Sequence, residues 1–225
     1  MYLSSKAMYA GGAALALYAG AAFADEASAP ETVLVMEPDA KVVFITTGGA
    51  QVRADWSEAA RTYLHDHYVD QLEDGDHRVV GFDEGSVADV EALTQLLLLY
   101  EVVAQSTSID MPHKGGRDTN RDLTLGQSVA LLRDTFGANR AVFVDSYSQI
   151  ESSGVFFTQV LVGAATGYTP PSQNMRLTTT NVVDLQTGEF LDTASVMLGD
   201  PRHPVESAGM VERMLDDLET LSSAE

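Results

Sequence analysis

The segment Gly126-Gln127-Ser128-Val129-Ala130 comes one residue short of the nucleophile elbow, where glycines on both sides let a serine sit on a strained strand-to-helix corner. Thr124 and Gln127 fit a helix-capping pair, so Ser128 is expected in the first turns of an ordinary helix. His65 and His67 are the next candidates. Two positions apart on a helix of 3.6 residues per turn they point roughly 200° apart, whereas a helical zinc pair needs a spacing of three or four. His67 therefore reads as a core-edge histidine satisfied by a neighbour, and His65 as a solvated one. Asp70, Glu73, Asp74 and Asp76 crowd a helix end without the calcium-loop spacing and its late bidentate glutamate. They read as solvated acidic surface. With no paired general acid and base in sight, no catalytic residue, cofactor site or metal ligand is assigned.

His113, Lys114, Arg117 and Arg121 form a different kind of candidate. They lie in the long polar stretch Ser106 to Asp122, which contains Pro112, Gly115 and Gly116. Connections of this length are often functional. Basic groups gathered on an acidic chain concentrate its positive potential, which suits a carboxylate, a phosphate or an acidic partner surface. The competing role is neutralisation of neighbouring Asp and Glu. These four residues are the partner-binding expectation.

The charge balance narrows the partners. The chain has 13 Lys plus Arg against 33 Asp plus Glu in 225 residues, a formal charge of −20. Such a surface repels nucleic acid and anionic membranes. There is no cysteine, so disulfides, thiol nucleophiles, Cys-based zinc sites and a lipidated N-terminal cysteine are excluded.

Residues 1–24 decide where the rest is expected to work. Lys6 precedes an apolar run from Ala7 to Ala22, and Ala22-Phe23-Ala24 supplies the small residues a signal peptidase requires. A membrane span needs roughly 20 strongly apolar residues, while this run carries Gly11, Gly12 and Gly20 and is followed by Asp25 and Glu26 instead of a basic cluster. The expectation is a signal peptide cut between Ala24 and Asp25, a periplasmic location, and no transmembrane span after cleavage. Removal of Lys6 leaves 12 basic against 33 acidic residues, a charge of −21. Residues 25–31 read as a disordered leader, 32–221 as one domain, and 222–225 as a disordered tail.

The remaining pattern is one of alternating strands and helices. Val33 to Met36 and Val42 to Ile45 are short β-branched runs, separated by a turn at Glu37-Pro38-Asp39-Ala40. Asp55 and Glu58 suggest a capped helix with Trp56, Ala59, Ala60, Tyr63, Leu64 and His67 on its buried face, ending at Asp74-Gly75-Asp76. His77 to Phe82 reads as a strand. Ser86 and Asp89 mark a second helix whose apolar content from Val87 to Val103 predicts burial on most sides. A third helix ends at Gly137, and Ala141 to Val144, uninterrupted by polar residues, predicts a central strand. Gly154 to Gly167 is apolar and rich in small residues, suiting a packed helix, an oligomer contact or a membrane-touching segment. From Met175 the period is two, with a hairpin at Gln186-Thr187-Gly188 into Glu189 to Met197. A closing helix follows Pro201 and Pro204 and carries Val211, Met214, Leu215, Leu218 and Leu221. The fold class is α/β, a single domain with a mixed sheet of about five to six strands and flanking helices.

The strand ending in Glu37-Pro38-Asp39, the strand Ala141 to Val144 after a glycine-terminated helix, and the hairpin Asn181 to Glu189 resemble the periplasmic α/β domain of curli-secretion-channel-type lipoproteins and the TolB amino-terminal domain. Asp55-Trp56-Ser57-Glu58-Ala59-Ala60, Met111-Pro112-His113-Lys114, Leu123-Thr124-Leu125-Gly126 and Gly199-Asp200-Pro201-Arg202 are similar to an uncharacterised family of exported proteobacterial proteins. The resemblance implies a non-enzymatic role in envelope assembly, through contact with an envelope protein or by self-association. The alternative from the residues themselves is an exported hydrolase or small-ligand binder, with a pocket at the carboxyl ends of the strands.

Overall fold

A computed structural model describes residues 31–75, 77–109 and 123–221. The strands are β1 (Thr32–Val35), β2 (Asp39–Thr46), β3 (Gly49–Val52), β4 (Arg78–Gly81), β5 (Arg140–Glu151), β6 (Met175–Asp184) and β7 (Phe190–Val196). The helices are α1 (Ala54–Asp74), α2 (Val90–Ile109), α3 (Ala130–Phe136), α4 (Ser153–Thr166) and α5 (Pro204–Asp217). They form one mixed sheet with flanking helices.

β5 organises the sheet. Along one edge it pairs antiparallel with β6, from Arg140 opposite Asp184 to Gln149 opposite Met175. Its other edge is shared by two strands laid end to end, both parallel to it: β1 beside Arg140, Ala141 and Val142, and β2 beside residues 145–151. The Met36 amide donates to the Val142 carbonyl at 3.0 Å and carries the pairing into the break between them. β4 then flanks β1, β3 flanks β2, and β7 flanks β6. Seven strands, one or two more than expected, thus make a sheet only five strands wide.

The central runs are apolar throughout because both faces of the sheet are covered. Val33, Val35, Val142 and Val144 face Ala60, Leu64, Tyr68, Met210 and Met214 of α1 and α5. Leu34, Ala141, Phe143 and Val183 face Leu93, Leu96, Tyr100, Val129 and Leu132 on the opposite side. On the first face the Tyr68 hydroxyl is fully buried against Thr180 Oγ1, and burial raises its pKa far above the usual phenol value.

The helix starts differ from their sequence expectations. Asp55 does not cap α1; it lies inside the helix and accepts from the Arg53 guanidinium at 2.7 and 3.0 Å, while Glu58 pairs with Arg61. Ser57 does the joining instead: its Oγ donates to the Arg53 carbonyl and accepts from the Val42 amide at 3.0 Å, stitching the helix start to β2. The buried stripe accordingly runs Ser57, Ala60, Leu64, Tyr68, Leu72, leaving Ala59, Tyr63 and His67 half-buried. α2 starts at Val90, where Asp89 accepts from the Ala92 amide at 2.9 Å, and Ser86 belongs to a short 3₁₀ turn before it. Thr124 accepts from the Gly126 amide, closing a local turn and not a capping box.

The expectation that α2 is buried on most sides is wrong. Leu93, Leu96, Tyr100 and Ala104 form one buried face, whereas Leu98 is 57% and Val102 68% exposed on the other. Among the described residues no second layer packs outside α2, so composition alone overstated its burial.

Candidate functional site

The apolar segment after β5 folds as α4. Ser152 Oγ accepts from the Val155 amide to start the helix, and Gly167, with φ of 72°, ends it. No residue of this helix is charged, and none is buried. Phe156 and Phe157 are 63% and 62% exposed, Leu161 55% and Val160 47%.

Polar contacts on the opposite side hold α4 in this posture. Gln159 Nε2 donates to Glu151 Oε1 at 2.9 Å. The same carboxylate accepts from the Gln173 amide at 2.6 Å and from Ser172 Oγ at 3.1 Å, so the last residue of β5 gathers both the helix and the returning chain. The Gln173 amide is the main reason this carboxyl is held below the usual range, with Gln159 and Ser172 adding to it. At the far end Gly163 lies under Thr169, where an added Cβ would sit 2.7 Å from Thr169 Oγ1. The helix thus turns its glutamine and glycine inward and its phenylalanines outward.

A second feature, unmarked in the sequence reading, lies between α2 and the sheet. The Tyr100 hydroxyl donates to Asp145 and accepts from Asn181 Nδ2 at 2.9 Å, and Asn181 Oδ1 accepts from Thr193 Oγ1 at 2.9 Å. The Tyr100 ring stacks on Phe143, with centroids 4.1 Å apart. Burial raises Asp145 to about 6; the Tyr100 hydrogen bond opposes the shift, and the charges of Asp39 and Glu101 reinforce it. A carboxyl in that range is a proton donor and acceptor near neutrality, but it is tied to the Tyr100 hydroxyl, whose ring packs on Phe143. Only its place directly after Ala141 to Val144 hinted at burial.

The residues singled out from the sequence are spread through the molecule. His113, Lys114, Arg117 and Arg121 lie outside the described residues, as do the leader with its cleavage position, Asp76 and residues 222–225. Ser128 sits in the 3₁₀ turn before α3, and its Oγ donates to the Leu125 carbonyl at 2.6 Å. His67 Nε2 meets the Pro204 carbonyl at 2.9 Å, the neighbour expected for it, and His65 stands part-exposed beside Asp66. His77 bonds the Leu221 carbonyl and His203 lies near Asp200, so none of these histidines forms a couple with Ser128. Asp70, Glu73 and Asp74 are exposed.

Among the described residues, basic groups gather around Trp56 and Asp200. The Arg53 and Arg202 guanidinium carbons lie 4.2 and 4.3 Å from the Trp56 ring centroid. Arg202 and Arg176 both engage the nearly buried Asp200. Burial would raise that carboxyl, but Arg202 holds it below its ordinary value. Arg53 is paired with Asp55, while Arg202 and Arg176 share the single carboxylate of Asp200. A cleft of about 310 Å³ lies between the ends of α1 and α5, lined by Gln71, Gly75, His77 and Asp216 among others. It adjoins the amino end of β4, not the carboxyl ends where a ligand pocket was anticipated. Among the described residues no group of three or more His, Asp or Glu is placed to hold a metal ion, and no helix is long and apolar enough to cross a membrane.

No family model and no curated protein matches the chain. Among solved structures it is similar to lipoprotein GNA1162 from Neisseria meningitidis, at 13% identity over 83% of this chain and 94% of that one, with a TM-score of 0.32. It is also similar to the PelC dodecamer from Paraburkholderia phytofirmans, at 10% identity over 87% and 90%, with a TM-score of 0.38. For the LpoB C-terminal domain from Escherichia coli the values are 11%, 76%, 84% and 0.28. Overlap at TM-scores below 0.5 assigns neither a family nor a role.

Proposed function

We propose that this protein is an exported, non-enzymatic envelope factor that works by protein–protein contact, with α4 as its principal contact surface. The observation that carries this reading is the posture of α4: an uncharged helix held to β5 by Glu151 while Phe156, Phe157, Val160 and Leu161 face outward. Exposed apolar area of this kind costs solubility unless something covers it. The leader and the resemblance of the hairpin and Gly199–Arg202 segments to exported envelope proteins support the compartment. His113, Lys114, Arg117 and Arg121 are a second contact in this reading, suited to an acidic surface.

The test is a photo-cross-linking amino acid at Phe157 in cells, followed by identification of the adduct, with N-terminal sequencing of the recovered protein. One dominant protein adduct that disappears with Leu161→Asp, on a chain beginning at Asp25, is the expected result. No adduct at Phe157, or ester, peptide or phosphoester turnover by the purified protein that is lost in Ser128→Ala, would overturn it in favour of an exported hydrolase.

A further inference from the structure

We infer that the partner of α4 is the α4 of a second copy of this chain, packed antiparallel about a two-fold axis between Val160 and Leu161. This rests on the contact role proposed for α4 and names its occupant.

At 3.6 residues per turn, positions 156, 157, 160, 161, 164 and 165 share one side of the helix, and all six are exposed. They read Phe, Phe, Val, Leu, Ala, Ala. The order is a taper, with the largest side chains at the amino end and the smallest at the carboxyl end. Turning one such helix antiparallel to another sets Phe156 against the second copy's residue 165, Phe157 against 164, and Val160 against 161. Large then meets small along the whole contact, which is what close packing of two identical surfaces requires. A parallel pairing would put phenylalanine against phenylalanine and leave a gap between the alanines.

Area and charge favour the same occupant. With an aromatic side chain offering about 150–250 Å², the exposed fractions give a face of about 500 Å² per copy. Full burial of this face on both copies removes about 1,000 Å², the lower bound for a biological interface and the size of a weak one. Each chain carries a charge of −20, so two copies repel over most approaches. α4 has no ionisable group, and Glu151, the carboxylate beside it, is turned to Gln159, Ser172 and Gln173. Contact through α4 therefore presses no like charges of the helix itself together.

The absence of cysteine makes the test clean. The full chain, expressed with its own leader and purified, is measured by sedimentation up to about 100 µM, well above the micromolar range. Single-cysteine variants are then oxidised, with Val205→Cys, on the exposed start of α5, as the control. A dimer is expected that tightens with added salt, because screening weakens the repulsion between chains. Val160→Cys should cross-link to itself, and a mixture of Phe157→Cys with Ala164→Cys should cross-link far more than either alone. Leu161→Asp should give a monomer whose thermal unfolding matches that of the wild type at dilutions where the wild type is itself monomeric, separating loss of contact from loss of fold. A monomer at 100 µM, cross-linking of Phe157→Cys with itself above the control, or monomers that bind neutral-lipid vesicles would overturn the inference. A cellular adduct at Phe157 with a different protein would also overturn it, while leaving the contact role of α4 intact.

Discussion

Gln159 and Glu151 join at 2.9 Å, and through that bond the end of β5 sets the orientation of α4. The carboxylate also holds the Gln173 amide and Ser172 Oγ. Glu151→Ala removes every one of these acceptors at once. The expected outcome is faster amide exchange and protease nicking between residues 153 and 174, with exchange in β5 and β6 unchanged. Equal loosening of the whole sheet would show that Glu151 has a global role instead.

Asp145 gives the protein a specific pH signature. Its pKa rises from 3.8 unfolded to about 6 folded, so the folded state binds the extra proton. Its contribution to stability is fully present below about pH 3.8 and is lost as pH rises through about 6. The change is on the order of 3 kcal/mol. Asp200, held below its ordinary value by Arg202, works in the opposite direction. Denaturant unfolding of wild type and Asp145→Asn from pH 4 to 7.5 is the measurement. The variant, which still offers Tyr100 an acceptor, should gain on the wild type steadily up to about pH 6 and no further.

Two glycines with similar backbone angles should respond differently to alanine. Gly137 (φ 65°) ends α3 in open space, whereas a Cβ on Gly188 (φ 79°) would lie 2.4 Å from the Gly126 carbonyl oxygen and 2.6 Å from its amide nitrogen. Gly137→Ala should cost about 1–2 kcal/mol, the left-handed penalty alone. Gly188→Ala should cost about 3 kcal/mol or more, since the 185–189 hairpin must pull away from the turn at Gly126. Equal midpoints in urea would contradict this.

On α2, Leu96→Ala should destabilise by about 2–5 kcal/mol and Leu98→Ala by no more than about 0.5 kcal/mol. The first side chain is 1% exposed and the second 57%. Comparable losses would mean that a further layer covers α2 in solution.

Legibility in the sequence followed burial on two faces. Val33 to Val35 and Ala141 to Val144 were readable as strands because every side chain there meets a helix, above or below. β3 was missed because Gly49-Ala50-Gln51-Val52 is exposed throughout and so carries no pattern. The leucines of α2 misled for the opposite reason: Leu93 and Leu98 are chemically alike, and only the position of the sheet tells them apart. Ser57 and Asp89, not Asp55 and Ser86, form the joins at their helix starts, since several nearby polar residues could do so and the loop path selects one. For α4, composition revealed an apolar segment; its outward orientation depends on Glu151, a residue no local pattern connects to it.

The end-to-end placement of β1 and β2 along β5 fixes a timetable for synthesis. Val33 finds its neighbour Arg140 only after more than a hundred intervening residues have been made. At roughly 5–20 residues per second, β1 and β2 can pair early with β4 and β3, but their β5-facing edges stay open for seconds, and such distant pairing makes folding slow. Whatever meets the newborn chain in that interval meets two strand edges still waiting for their common neighbour.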